Sequence, residues 1–396
     1  MENALILLAV LATAGVLLWP RLAQSVTWRA TITPLASIIG SGFLVLGPIL
    51  NASYGWAAPL IMVVLCLVAW AFGAAIRRNI AEIDHSPQRP LGEQRIETAA
   101  SWALAFAYFV SVAYYLNLFG SFGVSLTSWN DPLHARLLTT AMLLLILSVG
   151  WLRGFSALER MEQVTVGIKL AIIAGLLVGL AWYFADRVSD DALLWTSPTV
   201  SGLGALTLAF GLIVTVQGFE TSRYLGASYD ASTRIRSMRL AQLLATLIYM
   251  VYMLLLAYVF PAGSVTLEET AIIDMMRVVA PVLPVLLVAA ALAAQFSAAV
   301  ADTSGSGGLI AELTHGRVTH RQGYVLLVGV GLALTWSADV FQIIAYASRA
   351  FALYYGLQAL IAARSAQARG ARIKASGYFA LSLLGLCIVL FGRPVE

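Results

Sequence analysis

The sequence predicts an all-α integral membrane protein of about twelve transmembrane helices, and three observations carry that fold class. Of 396 residues, 60% are hydrophobic and only 11% are charged, with a mean hydropathy of +0.85. A soluble domain with its charges on the outside does not have that composition. Apolar stretches of about 17 residues or more, each able to cross a hydrocarbon core of about 30 Å, recur from end to end. Finally, the connections alternate in charge. One set carries eighteen basic residues, from Arg21 and Arg29 to Arg372 and Lys374, while the other carries only Arg136, Arg187, Arg277 and Arg393. By the positive-inside rule the first set is cytoplasmic and both termini lie outside.

The segments follow in order. Residues 3–19 lack the basic leader of a signal peptide, having only Glu2 before them and Arg21 and Arg29 after them, so they read as a retained helix with its N-terminus outside. Residues 30–50 form a run without charge from Ala30 to Pro48, interrupted by Ser37-Ile38-Ile39-Gly40-Ser41-Gly42-Phe43. Segments 56–76, 98–126 and 135–153 come next, the second of them rich in aromatic residues between 106 and 120. Segment 162–185 carries Lys169, and segment 200–225 carries Gln217-Gly218-Phe219-Glu220. After 239–261, segment 278–313 holds a run of small and hydroxylated residues around Asp302, Thr303 and Ser304. Residues 322–363 divide into 322–337 and 338–363 at Trp336-Ser337-Ala338-Asp339, and 375–392 completes the set.

Cysteine and histidine exclude several functions. Cys66 and Cys387 lie inside apolar spans, where they read as small core residues, and they form no disulfide framework. His85, His134, His315 and His320 all fall in connections. The membrane interior therefore offers no imidazole metal or haem ligand and no Ser–His pair for hydrolysis, and no cofactor is expected. The net charge of +4 follows from membrane orientation and does not indicate nucleic-acid binding.

Ionisable groups inside spans are expensive, so Lys169, Glu220, Asp302 and Arg349 are functional candidates. All but two of the 24 basic residues are arginine, yet the middle of 162–185 uses Lys169, the basic side chain that can lose its proton when buried. Snorkelling to the interface is the other reading of this lysine. Gly218 beside Glu220 suggests a second interrupted helix, and close helix packing is the alternative there. Thr303 and Ser304, with the Val300 carbonyl one turn earlier, form a hard-oxygen corner suited to Na⁺ or an ammonium group, or simply a small-residue packing face. Arg349 is positioned to pair with Asp302 or with Glu220, and an Arg223–Glu220 pair at helical spacing would make Glu220 structural.

With the first segment set aside, residues 30–185 and 200–366 each contain five spans, and each half opens on its interrupted helix. An odd number of spans gives the halves opposite orientation, and matched interruptions point to a transporter site. "ASIIGSGFLVLGP" resembles the first core helix of the amino acid, polyamine and organocation (APC) transporter superfamily; "QGFE" is similar to its sixth, and the lysine of "VGIKLAI" to a fifth-helix lysine. The resemblance implies a LeuT-type fold of 5+5 inverted helices in residues 30–366, with an extra helix in 1–29 and another in 367–396. It further implies that Ile39, Gly40, Ser41 and Gly42 present N–H groups to a substrate carboxylate, while carbonyls near Ala36, Ser37, Val216 and Gln217 receive an amine. Gly218 belongs to the second break, and Phe219 and Glu220 fall at gating or coupling positions. Lys169 competes with Na⁺ for the corner formed by Thr303 and Ser304, which favours protons over Na⁺ as partner.

The expected function is therefore secondary active transport of a small amino acid or related organic solute across the cytoplasmic (inner) membrane, as a symporter or exchanger. Transport of an inorganic cation, a non-transporting receptor and a membrane-embedded enzyme are the alternatives, and homodimer formation is left open.

Overall fold

A computed structural model describes residues 2–40, 42–85, 90–152, 156–261 and 267–395, with backbone only for 84, 85, 156–164 and 227. The chain begins with α1 (Glu2–Leu17), the short α2 (Pro20–Ala23), α3 (Val26–Ile38) and α4 (Gly42–Tyr54). Four long helices follow: α5 (Ala58–His85), α6 (Leu91–Val124), α7 (Pro132–Leu152) and α8 (Ser156–Ser189). Next come the short α9 (Gly202–Gly211) and α10 (Thr221–Tyr224), then α11 (Ala231–Ala257), α12 (Ala271–Val279) and α13 (Leu283–Leu313). The chain closes with α14 (His320–Ser337), α15 (Val340–Ala368) and α16 (Arg372–Phe391).

Each segment expected from hydropathy carries a helix or an interrupted pair of helices. Among the described residues, seven helical stretches are long and apolar enough to cross a membrane by length and composition, and two apolar helices, Glu2–Leu18 and Gly202–Gly211, are shorter. The division inside 322–363 has a local cause. Asp339 accepts the Gln342 N–H at 2.8 Å while the Gln342 side chain accepts the Asp339 N–H, a capping box that starts α15 directly after α14. Thr319 and Gln322 start α14 in the same way. Asp230 caps α11 through the Thr233 N–H, and its bonds to Thr233 and Ser232 hold the exposed carboxyl down at about 2.

α12 was not expected. Most of its nine residues lie in a connection, and nine are too few to span a bilayer, but it buries Ile272, Ile273, Met275, Met276 and Val279 on one face against α4 and α13. Its approach is anchored where Glu269 accepts the Ser121 hydroxyl of α6 at 2.6 Å.

α6 is the central post of the bundle, packed against α7, α13, α14 and α15 with most of its apolar stretch inside the protein. α1 lies along α8, and α16 lies along α15. Large apolar side chains such as Leu8, Leu11, Leu247 and Leu383 remain exposed on the outer helices, where a bilayer is the solvent that suits them.

Candidate functional site

Two helix interruptions meet at the middle of the bundle. The first lies between α3 and α4. Ile39 ends α3 with φ −85° and ψ 55°, its N–H bonded to the Leu35 carbonyl, and α4 restarts at Gly42. The second lies between α9 and α10. A 3-10 turn over Ile213–Val216 gives way to extended backbone at Gln217 and to Gly218 at φ +119°. That angle is open to glycine and strained for other residues.

Glycine also sets how closely the two breaks approach. A Cβ on Gly218 would sit 2.5 Å from the Ser37 carbonyl carbon and 2.7 Å from the Ile38 nitrogen. One on Gly42 would sit 2.8 Å from the Thr215 Cα. Gly218 is therefore in backbone contact with Ser37 and Ile38, and Gly42 with Thr215. Ser41 lies outside the described residues. Gly40, Val216, Gln217, Phe219 and Glu220 are all buried, and the void beside Gly40, Phe43 and Lys169 measures about 10 Å³, room for about one water.

The two breaks are held by different chemistry. On the first, Lys169 of α8, itself 4% exposed, donates Nζ to the Ala36 carbonyl at 2.8 Å. Tyr249 of α11 donates its hydroxyl to the Ile38 carbonyl at 3.1 Å and to the Thr215 carbonyl at 2.5 Å, bridging the breaks. Lys169 thus occupies the carbonyl expected to receive a substrate amine. On the second, Glu220 turns back to accept the Gly218 N–H at 3.0 Å, and Thr221 donates its hydroxyl to the Gly218 carbonyl at 2.8 Å. Tyr355 of α15 donates to Glu220 at 2.7 Å and to Gln217 at 3.1 Å. Ser348, also on α15, donates to the Gly211 carbonyl at 2.6 Å and accepts the Val214 N–H at 3.1 Å.

The aromatic run at 106–120 and the aromatic residues Phe351 and Tyr355 of α15 come together beside Phe219. Its ring stacks on Tyr355 at 5.1 Å, Tyr355 stacks on Phe72 at 5.3 Å, and Tyr108 meets Phe351 edge-on. The Tyr115 hydroxyl accepts from the Gln217 amide at 3.4 Å.

Three pairing expectations need correction. Arg349 pairs with neither Asp302 nor Glu220. Its guanidinium donates to the Gly392 carbonyl, at 2.8 Å from Nε, because that face of α15 meets the end of α16. Asp302 instead accepts the Ser111 hydroxyl of α6. Arg223 does not pair with Glu220, whose carboxylate turns back to the Gly218 N–H in the break that precedes α10. Arg223 reaches Glu97 of α6 and Gln358 of α15, each at 2.5 Å, and Gln358 is also held by Asn79 of α5 at 2.8 Å. Thr303 turns its hydroxyl back onto the Ala299 carbonyl of its own helix at 2.6 Å.

The sequence reading missed Ser111, Tyr249, Tyr355, Asn79, Glu97 and Gln358. Five of them are polar or phenolic residues inside or at the edge of apolar spans, a weaker signal than a full charge. At the opposite end of the second broken helix, the C-terminal segment holds α9. The Arg393 N–H donates to the Thr207 carbonyl at 3.0 Å and its guanidinium to the Gly204 carbonyl at 3.2 Å.

A family described as APC superfamily transporter matches residues 20–392 of this chain. A protein of Aquifex aeolicus (strain VF5), described as an uncharacterized protein, is 41% identical over 390 residues, covering 95% of this chain and 93% of the relative.

Proposed function

Because the chain belongs to the APC superfamily of transporters and is a multi-pass membrane protein, we propose that it is a secondary active transporter of a small amino acid or related organic solute. In this reading it works by alternating access on a LeuT-type core of two inverted five-helix halves, residues 30–366. The observation that carries the proposal is the backbone contact of the two interrupted helices at Ser37, Ile38, Thr215 and Gly218. Irregular backbone at membrane depth is tolerated where it surrounds a polar cavity, and paired interruptions are the transporter's way of building one. The first turn of α4 supplies N–H groups and a positive dipole end for a carboxylate. The carbonyls of Ser37 and Val216 remain for an amine, since Ala36 is held by Lys169.

Proton coupling or exchange fits the polar groups better than Na⁺. The Lys169 ammonium places a positive charge 2.8 Å from a carbonyl of the first break, and a second cation beside it would be repelled. Thr303 spends its hydroxyl on its own helix. Lys169 and Glu220 are the coupling candidates, each bonded directly to a break. The ties on the two halves of the second broken helix suit a pair of gates: Arg223 to Glu97 and Gln358 at one end, the Arg393 segment on α9 at the other. By the arginine distribution, the first of these faces the cytoplasm.

Uptake into proteoliposomes tests the reading. A labelled amino acid panel driven by an inward proton gradient is expected to show saturable accumulation of at least one member. Accumulation of K⁺ or a divalent cation with no response to any amino acid or amine would replace it with the inorganic-cation reading.

A further inference from the structure

An apolar cavity of about 170 Å³ lies between α1, α3 and α8, walled by Leu17, Trp28, Ile32, Gly167 and Leu170. Two more of its residues, Leu18 and Ile168, are 77% and 50% exposed, so the cavity opens on the outer surface of the bundle, beside the bilayer. It sits where the apolar segment 3–19 ends and the segment 162–185 begins, so its mouth is near the membrane interface at the arginine-rich end. An apolar cavity of this size stays dry and takes an apolar group about as large as a benzene ring, or a comparable length of acyl chain.

The segment joining two of its walls, residues 18–29, carries interfacial chemistry. Trp19 is 59% exposed, Trp28 lines the cavity, and Arg21 and Arg29 are both exposed with no hydrogen-bond or ion-pair partner among the described residues. Tryptophan and arginine beside an apolar slot at this depth match a lipid that is anionic at its head and apolar below it. We propose that this cleft binds one anionic phospholipid, with an acyl chain in the cavity and the phosphate at Arg21 and Arg29. The occupant touches α3, which carries Ala36, and the residues of α8 on either side of Lys169. It therefore lies against both of the helices that the Lys169–Ala36 bond joins. The site does not depend on the transport reading.

Gly167 supplies a test, because a Cβ there meets nothing within 4 Å. Gly167→Leu fills the cavity and, as leucine is the better helix former, leaves α8 intact. The probes are phosphatidylglycerol, phosphatidylcholine and inorganic phosphate, added to delipidated full-length protein. Bound lipid is counted by native mass spectrometry, and thermal unfolding is followed in parallel. Wild type is expected to retain phosphatidylglycerol in preference to phosphatidylcholine. Losing two basic contacts in Arg21→Gln/Arg29→Gln is expected to weaken phosphatidylglycerol by about thirtyfold and remove most of that preference. Gly167→Leu is expected to weaken both lipids while unfolding at the wild-type temperature. The proposal is overturned if Gly167→Leu binds phosphatidylglycerol as wild type does, or if the double variant keeps the preference. It is also overturned if inorganic phosphate displaces the lipid, since the arginines then hold a free anion without help from the cavity.

Discussion

The two helix interruptions do the same geometric job and are stabilised in opposite ways. The first, at Ile39 and Gly40, takes its support from other helices: Lys169 of α8 bonds the Ala36 carbonyl, and Tyr249 of α11 bonds the Ile38 carbonyl. The second, at Gln217 and Gly218, carries much of its support within itself, through Glu220 on the Gly218 N–H and Thr221 on the Gly218 carbonyl, with α15 adding Tyr355 and Ser348. The first break therefore exposes carbonyls that need a donor from outside, and the second offers an N–H that keeps a carboxylate in place. In a moving protein that difference matters. Displacing α3 from α8 must give up the Lys169 bond, whereas α10 can shift with Glu220 and Thr221 still attached to Gly218.

The largest test of this contrast removes the outside donor. Lys169→Ala leaves the buried Ala36 carbonyl without that bond, and a lost charged hydrogen bond of this kind corresponds to about a hundredfold change in an equilibrium. Accumulation driven by a proton gradient in proteoliposomes is expected to fall by that factor or vanish. Unchanged accumulation at every pH would show that the first break manages without its lysine. Next in size is Gly218→Ala, which forces alanine to φ +119° and puts a Cβ 2.5 Å from the Ser37 carbonyl carbon. A loss of about 2–3 kcal/mol is expected in unfolding experiments. The matching change in the first break, Gly40→Ala, meets the Ser37 carbonyl oxygen at 3.2 Å and the Tyr115 ring at 3.9 Å, and should cost less than about 1 kcal/mol. Equal losses for the two would erase the distinction.

Much of the first break and little of its support could be read from the sequence. The apolar runs, the glycines at 40, 42 and 218 and the lysine at 169 are local signals, and helices fall on the apolar segments, although α5, α6, α8 and α11 each run several residues past the apolar stretch that marked them. α12 escaped because nine amphipathic residues, most of them in a connection, do not reach the length that marks a span. Partners chosen across the bundle also escaped. Glu97 and Arg223 are far apart in sequence, and Arg349 turns towards Gly392, a carbonyl that no side-chain pattern announces. The Glu220–Arg223 spacing favoured an ion pair, but the Gly218 N–H, two residues back in the break, takes the carboxylate.

A smaller effect separates the phenol from the ammonium. Tyr249→Phe removes the bridge between the Ile38 and Thr215 carbonyls without changing shape. Two buried acceptors losing one hydroxyl should cost about 1–2 kcal/mol of stability. Because the bridge joins both breaks, the variant is also expected to let reagents reach a cysteine placed at Val216 more readily. If stability falls but accessibility does not change, Tyr249 braces the fold without holding the breaks together.

The smallest structural effect is expected where the second break supports itself. Glu220→Gln keeps an acceptor for the Gly218 N–H and for the Tyr355 hydroxyl, so the unfolding free energy should move by less than about 1 kcal/mol. The amide cannot take up or release a proton near neutral pH, so coupling is where the two side chains differ. If Glu220 carries the coupling proton, the variant exchanges substrate across the membrane but no longer accumulates it against a gradient. If accumulation survives and stability drops by several kcal/mol, the carboxylate is a structural clasp for Gly218, and coupling falls to Lys169, the donor on the other break.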